Sequence, residues 1–177
     1  DARGVAASGS HRAVPVPVEI LGGLARGHFQ SWAVHPPRFS AYSPSGMPLD
    51  TLDTTLVSTH SITPRVKQFS LRAEGHTFDF APGQHVSVAF EGADGQQDYR
   101  PYSPVNQPGT DTIVLAVKRY PEGACSTWLH ERSVGDTIPV TTPSGNLHLR
   151  DPDRDGVFVA TGTGLTPLFA MATQQLR

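Results

Sequence analysis

The chain has 177 residues, of which 17 are Gly and 16 are Pro, so turns must be frequent and long helices few. Its 14 basic and 16 acidic side chains leave a formal charge of −2, which offers no electrostatic footprint for nucleic acid or an anionic membrane. The single cysteine, Cys125, excludes an internal disulfide framework, a thiolate zinc site and a cysteine-bound iron–sulfur cluster within these residues.

Residues 1–50 are dominated by Ala, Gly, Ser and Pro, as in Val14-Pro15-Val16-Pro17 and His35-Pro36-Pro37. No helical or strand period persists there, so an extension or linker of poor order is expected. The longest apolar stretch, Ala13 to Ala25, is broken by Pro15 and Pro17 and carries Glu19, far from the roughly 20 apolar residues that span a bilayer. No signal peptide is visible, although the first residue is Asp1 and not Met, and a cytoplasmic location is the expectation.

From about Leu52 a period of two takes over. Strands are expected at Leu52–Thr59, Arg65–Arg72, His85–Phe90, Tyr99–Ser103, Thr112–Lys118 and Thr137–Thr142. Turn chemistry separates them at Ala81-Pro82-Gly83, Gly92-Ala93-Asp94-Gly95, Gln107-Pro108-Gly109, Gly135-Asp136 and Pro143-Ser144-Gly145. One helix is expected over Ala124–Arg132. Short, regularly spaced strands with one interrupting helix predict a mainly β domain over residues 51–152, a closed six-stranded antiparallel barrel.

After Asp151-Pro152-Asp153 the pattern changes. Val157-Phe158-Val159-Ala160 is a continuous apolar run, which predicts a strand buried on both faces. A glycine-rich turn and a helix from Pro167 to Leu176 follow. Residues 153–177 therefore read as the opening strand–turn–helix of an α/β domain that stops too early to build a sheet, so a truncated chain is expected.

Three segments can carry chemistry. In Arg100-Pro101-Tyr102-Ser103-Pro104, a strand would put Arg100 and Tyr102 on one face, about 7 Å apart. A guanidinium forks onto phosphate and a phenol ring stacks on a flat ring system. An exposed Arg beside a core Tyr is the plainer alternative. In Gly123-Ala124-Cys125-Ser126, the unpaired amides of a first helical turn attract an anion, Gly123 permits close backbone approach, and the Ser126 hydroxyl adds a donor. A plain capped helix start is the alternative, and Cys125 is expected as a small buried thiol, not a nucleophile paired with His130. In Gly162-Thr163-Gly164-Leu165-Thr166-Pro167, the strand–turn–helix setting suits a phosphate, with Pro167 at the first helical position. Pro167 stands where the third glycine of the Rossmann fingerprint would be. The eight histidines form no i, i+4 pair with a carboxylate partner, so no metal site is expected.

In combination these segments resemble the ferredoxin–NADP⁺ reductase superfamily of flavoproteins, over residues from about 50 to 177. Arg100-Pro101-Tyr102-Ser103 is similar to its Arg-x-Tyr-Ser/Thr motif, and Phe80-Ala81-Pro82-Gly83-Gln84-His85 to its Pro-Gly-Gln strand start. Val117-Lys118-Arg119 with Gly123–Ser126 resembles its second flavin segment. Pro143-Ser144-Gly145 resembles its Pro-x-Gly turn, and Gly162–Pro167 the first turn of its NAD(P) domain.

The resemblance implies a Greek-key FAD-binding barrel followed by the start of an NAD(P)-binding domain. It implies that Arg100 binds the FAD diphosphate, Tyr102 packs on the isoalloxazine next to Pro101, and Ser103 hydrogen-bonds near the reactive flavin nitrogen. Val117 and Lys118 would border the ribityl chain and Tyr120 the adenine. Gly123, Ala124, Cys125 and Ser126 would hold the diphosphate. Thr166 would lie near the flavin, making it with Ser103 the implied catalytic pair. Gly162, Thr163 and Gly164 would border NAD(P)H. The implied activity is an FAD-dependent oxidoreductase passing electrons from NAD(P)H to a ferredoxin, haem or iron–sulfur partner. The alternative is a non-catalytic flavin-binding or interaction module. A hydrolase is disfavoured, because no Gly-x-Ser-x-Gly elbow occurs.

Overall fold

The computed structural model describes residues 49–151 and 153–177. The extension expected over residues 1–50 lies, apart from its last two residues, outside them. All six expected strands form: β1 (Thr51–Thr63), β2 (Val66–Arg72), β3 (Val86–Glu91), β4 (Gln97–Tyr102), β5 (Thr112–Lys118) and β6 (Thr137–Thr141). Two ends move outward by more than one residue. β1 continues past Thr59 to Thr63, where the Thr63 hydroxyl accepts the amides of Arg65 (3.3 Å) and Val66 (3.1 Å) and closes the hairpin to β2. β4 starts at Gln97, which pairs with Glu91.

The strands form one six-stranded sheet in the order β4-β3-β6-β1-β2-β5, with antiparallel pairing throughout. The seam between the outer strands is stitched by the loop after β4, where the Val105 amide donates to the Val114 carbonyl (2.8 Å) and the Asn106 side-chain oxygen accepts the Val114 amide (2.8 Å). β1 and β2, and β3 and β4, are adjacent, whereas β2 and β3, β4 and β5, and β5 and β6 are separated in the sheet, the Greek-key consequence of long connections.

Period-two alternation builds the core, because inward positions of β2, β3, β5 and β6 are apolar. Phe69 and Leu71 of β2, Val86 and Val88 of β3, Ile113 and Leu115 of β5, and Ile138 and Val140 of β6 are fully buried in one cluster. Each such side chain contributes about 1.5–3 kcal/mol through burial. Helix α1 (Ala124–His130) packs onto this cluster with Leu129 and Cys125, and ends at His130 instead of Arg132. The His130 ring meets the Val117 carbonyl (3.0 Å), and Lys67 Nζ donates to the His130 carbonyl (3.0 Å), which ties the helix end to β5 and β2.

Downstream, two expectations need correction. Val157–Ala160 is not a strand: Val157 is 92% exposed and Val159 82%. A strand needs a lateral partner for its amides and carbonyls, and among the described residues none pairs with this segment. Helix α2 (Leu165–Gln175) starts earlier than expected, after a 3-10 turn at Gly162–Gly164, so Pro167 is its third residue and not its first. The position is tolerated, because first-turn amides have no acceptor within the helix. Ala170 and Met171 are the buried residues of α2, held against the barrel by a hydrogen bond from Gln107 Nε2 to the Ala170 carbonyl (2.9 Å).

Candidate functional site

On β4 the burial alternates. Tyr99 is buried on one face, while Asp98, Arg100 and Tyr102 are half-buried on the other. Their partners in β3 are Phe90, Val88 and Val86, all core residues, so these three polar side chains share the barrel's inner side at its rim. Arg100 and Tyr102 therefore do share a face. Tyr99 points outward, where its hydroxyl accepts the Leu49 amide (3.0 Å) and donates to the Gln97 side chain (2.9 Å).

The guanidinium of Arg100 is oriented from three directions. Its Nη1 donates to Asp98 Oδ1 (2.8 Å) and to the Tyr99 carbonyl (2.8 Å), and its Cζ lies 5.8 Å from the centre of the Phe90 ring. Phe90 in turn faces Trp128 of α1, with ring centres 6.3 Å apart. Strand and helix also draw close here: the Tyr102 ring packs against the core cluster that includes Cys125, and the phenol and the thiol act on each other's ionisation. Burial pushes the Cys125 thiol up to about 12, against the opposing pull of the Tyr102 hydroxyl and the Arg100 guanidinium. Burial likewise raises the Tyr102 phenol. Both groups stay protonated at neutral pH, so Cys125 is an inert buried thiol here.

The first turn of α1 follows a tight loop. The Gly123 amide donates to the Tyr120 carbonyl (3.0 Å), and a Cβ at Gly123 would sit 2.5 Å from Ser126 Oγ. The Ser126 hydroxyl accepts the Tyr120 amide (3.2 Å) and donates to the Gly123 carbonyl (3.0 Å). Its proton is thus engaged inside the loop, which differs from the expected outward donor. Ala124, Cys125 and Ser126 occupy the positions whose amides lack a helical acceptor, no side chain caps them, and the first turn holds no acidic residue. An uncapped amide turn within electrostatic reach of the Arg100 guanidinium, together with the Tyr102 phenol ring, is a donor set that fits a diphosphate attached to a flat ring. Of the flanking residues, Val117 turns its side chain into the core, Lys118 Nζ lies 5.0 Å from the Tyr120 ring centre, Tyr120 is exposed, and Pro101 is exposed.

A second group gathers around the turn after Phe80. Gln84 Oε1 accepts the Ala81 amide (2.8 Å), and its Nε2 donates to the Gly145 carbonyl (2.9 Å). His85 and Ser144 exchange backbone hydrogen bonds of 2.9 and 2.8 Å, so the Pro-Gly-Gln and Pro-Ser-Gly turns form one unit. Burial lowers the His85 pKa. The Ser103 hydroxyl donates to the Gly83 carbonyl at 3.4 Å. Met171 of α2 packs at Gly83, since its Cε would lie 3.1 Å from a Cβ placed there. The 3-10 turn Gly162–Gly164 is exposed, and Thr166, half-buried, donates to the Thr163 carbonyl (3.0 Å). The structure thus unites Arg100, Tyr102 and Cys125 in one group. Ser103 joins α2 through Gly83, and Gly162, Thr163, Gly164 and Thr166 lie at the start of α2.

A family model described as the oxidoreductase FAD-binding domain matches residues 53–149, more than half of the 177. This chain belongs to that family. Among relatives of this FAD-binding domain, a ferredoxin–NADP reductase B of Sorangium cellulosum is 37% identical over 132 residues, covering 72% of this chain and 53% of that protein. A solved ferredoxin reductase in carbazole 1,9a-dioxygenase superposes with a TM-score of 0.65 at 28% identity, over 73% of this chain and 40% of that one. A cytochrome P450 reductase of Amycolatopsis gives 0.62 at 31% identity, over 73% and 40%. The chain thus spans about half the length of the first of these relatives and 40% of the two solved chains.

Asp98, Phe90, Trp128, Gln84 and Gln107 were not among the expected site residues. Asp98 had a signal: it shares strand parity with Arg100 and Tyr102. The others act through contacts between segments far apart in the chain.

Proposed function

We propose that this chain is the flavin-holding part of an NAD(P)H-dependent reductase, with FAD seated where β4 meets the first turn of α1. The observation that carries this reading is the run of contacts from Arg100 over Phe90 to Trp128, which ties the Arg100 strand to α1, the helix whose first-turn amides are uncapped. When bound, FAD supplies the switch between two-electron hydride chemistry and single-electron transfer. The protein residues bind and orient. Arg100, aimed by Asp98 and Phe90, meets the diphosphate from the strand side, and the amides of Ala124, Cys125 and Ser126 meet it from the helix side. Gly123 lets the loop close on Tyr120 and Ser126, which sets the start of that turn.

Tyr102 and Pro101 would flank the ring system, Ser103 would bond a ring nitrogen, and Val117, Lys118 and Tyr120 would line the rest of the cofactor. Gly162, Thr163, Gly164 and Thr166 would border a nicotinamide nucleotide, in a domain beginning near residue 153 after a barrel domain over 51–152. The electron acceptor in this reading is a ferredoxin, haem or iron–sulfur protein, supported by the ferredoxin and cytochrome P450 reductases among the relatives. A reducing compartment such as the cytoplasm suits a chain whose one cysteine is a free thiol.

The test is reconstitution. Purified chain is mixed with FAD, desalted, and its visible absorbance and flavin fluorescence are recorded. Retained yellow colour with altered fluorescence is the expected result. A preparation that stays colourless after FAD addition refutes the reading.

A further inference from the structure

Arg100 carries the phosphate side of the proposed site, so what holds its guanidinium decides how well the site is preformed. Asp98 sits two residues earlier on the same strand face. Its Oδ1 accepts the Tyr99 amide (2.7 Å) and Arg100 Nη1 (2.8 Å). The first bond fixes the carboxylate against its own strand, and the second passes that fixity to the guanidinium. The Tyr99 carbonyl and the Phe90 ring add to the frame. Because Asp98 pairs across the ladder with Phe90, carboxylate and ring reach the cation from neighbouring positions of one face.

The placement has an electrostatic cost. Asp98 faces the first turn of α1 closely enough for its charge to act against ionisation of Cys125, and a carboxylate there repels a diphosphate. With no compensating role, its removal would strengthen binding. The salt bridge is partly exposed, with side-chain exposures of 38% for Arg100 and 33% for Asp98, so its direct contribution to folding is small. Its consequence lies in orientation: a long, flexible side chain held in one geometry loses less entropy when it meets a ligand.

We propose that Asp98 is a positioning residue for FAD binding, which aims the Arg100 guanidinium at the diphosphate by accepting a hydrogen bond from Nη1. This rests on the FAD reading above. Asp98→Ala removes the carboxylate acceptor and leaves the Tyr99 carbonyl, whereas Asp98→Asn keeps a side-chain oxygen acceptor and removes only the charge. FAD titration, followed by flavin fluorescence, should show affinity reduced about tenfold in D98A and largely restored in D98N. In an Arg100→Ala background, D98A should cause no further loss, because the aimed group is gone; a role confined to the fold would persist in that cycle. Tighter binding by both variants would make Asp98 a mere competing anion and overturn the proposal. Unchanged affinity in D98A, equal losses in D98N and D98A, or an undiminished loss in the R100A background would overturn it as well. These outcomes presuppose that the unsubstituted chain binds FAD; its failure to do so refutes the FAD reading itself and the proposal with it.

Discussion

Gly83 is where the turn beside Ser103, the Pro-Ser-Gly segment and α2 come closest, and Gly83→Ala tests that junction. The residue has φ +107, a region that costs an L-residue about 1–2 kcal/mol. A Cβ there would stand 2.5 Å from the Leu147 carbonyl oxygen and 3.1 Å from Met171 Cε. The methionine end can swing away, but the carbonyl belongs to the backbone, so the two segments must separate. Forced overpacking of this kind costs about 1–3 kcal/mol, which makes the expected loss about 2–5 kcal/mol in total. Gly135 provides the control, with φ +99 and nothing within 4 Å of its added Cβ. Gly135→Ala should therefore show the conformational cost alone, about 1–2 kcal/mol. Urea unfolding, compared at a common slope, measures both. If G83A is no less stable than G135A, the close junction between turn, loop and α2 is refuted.

Further outcomes follow from the site. Arg100→Ala removes a charge-assisted contact to phosphate and should weaken FAD binding by roughly 1.5–3 kcal/mol while leaving the fold intact, because the side chain is partly exposed; equal affinities by titration would remove Arg100 from the site. Cys125, raised from 9.0 to about 12 by burial, should resist alkylation at pH 8 until the chain unfolds. Since the unfolded thiol ionises first, stability is complete below about pH 9 and should fall as pH rises from there towards 12. Cys125→Ala should flatten that alkaline decline, and an unchanged pH profile by thermal unfolding would contradict the buried, protonated thiol.

The strands were legible because each alternates apolar and polar residues between strong turn formers. Val86, Val88 and Phe90 show it, and all three lie in the core. The same local logic failed at Val157–Ala160. Four apolar residues have the composition of a buried strand, but burial requires neighbours, and the described residues supply none. For the site, parity along β4 correctly put Arg100 and Tyr102 on one side. It did not reveal that Asp98 holds Arg100, since a carboxylate at the same parity reads equally well as a solvated charge. Ser126 shows the opposite limit. Its hydroxyl suggested an outward donor, and the loop beneath it takes that proton for the Gly123 carbonyl.

Local chemistry, which depends on near neighbours in the chain, determined the strand set, the two helices, the turns and the residue types able to meet phosphate and a flat ring. Tertiary structure alone decided which of them meet. The Lys67 bond to the His130 carbonyl, the Phe90–Trp128 bridge and the Gln84 link to Gly145 join segments distant in the chain. Such contacts depend on how the barrel closes and where α1 docks, and side-chain periodicity carries no record of either.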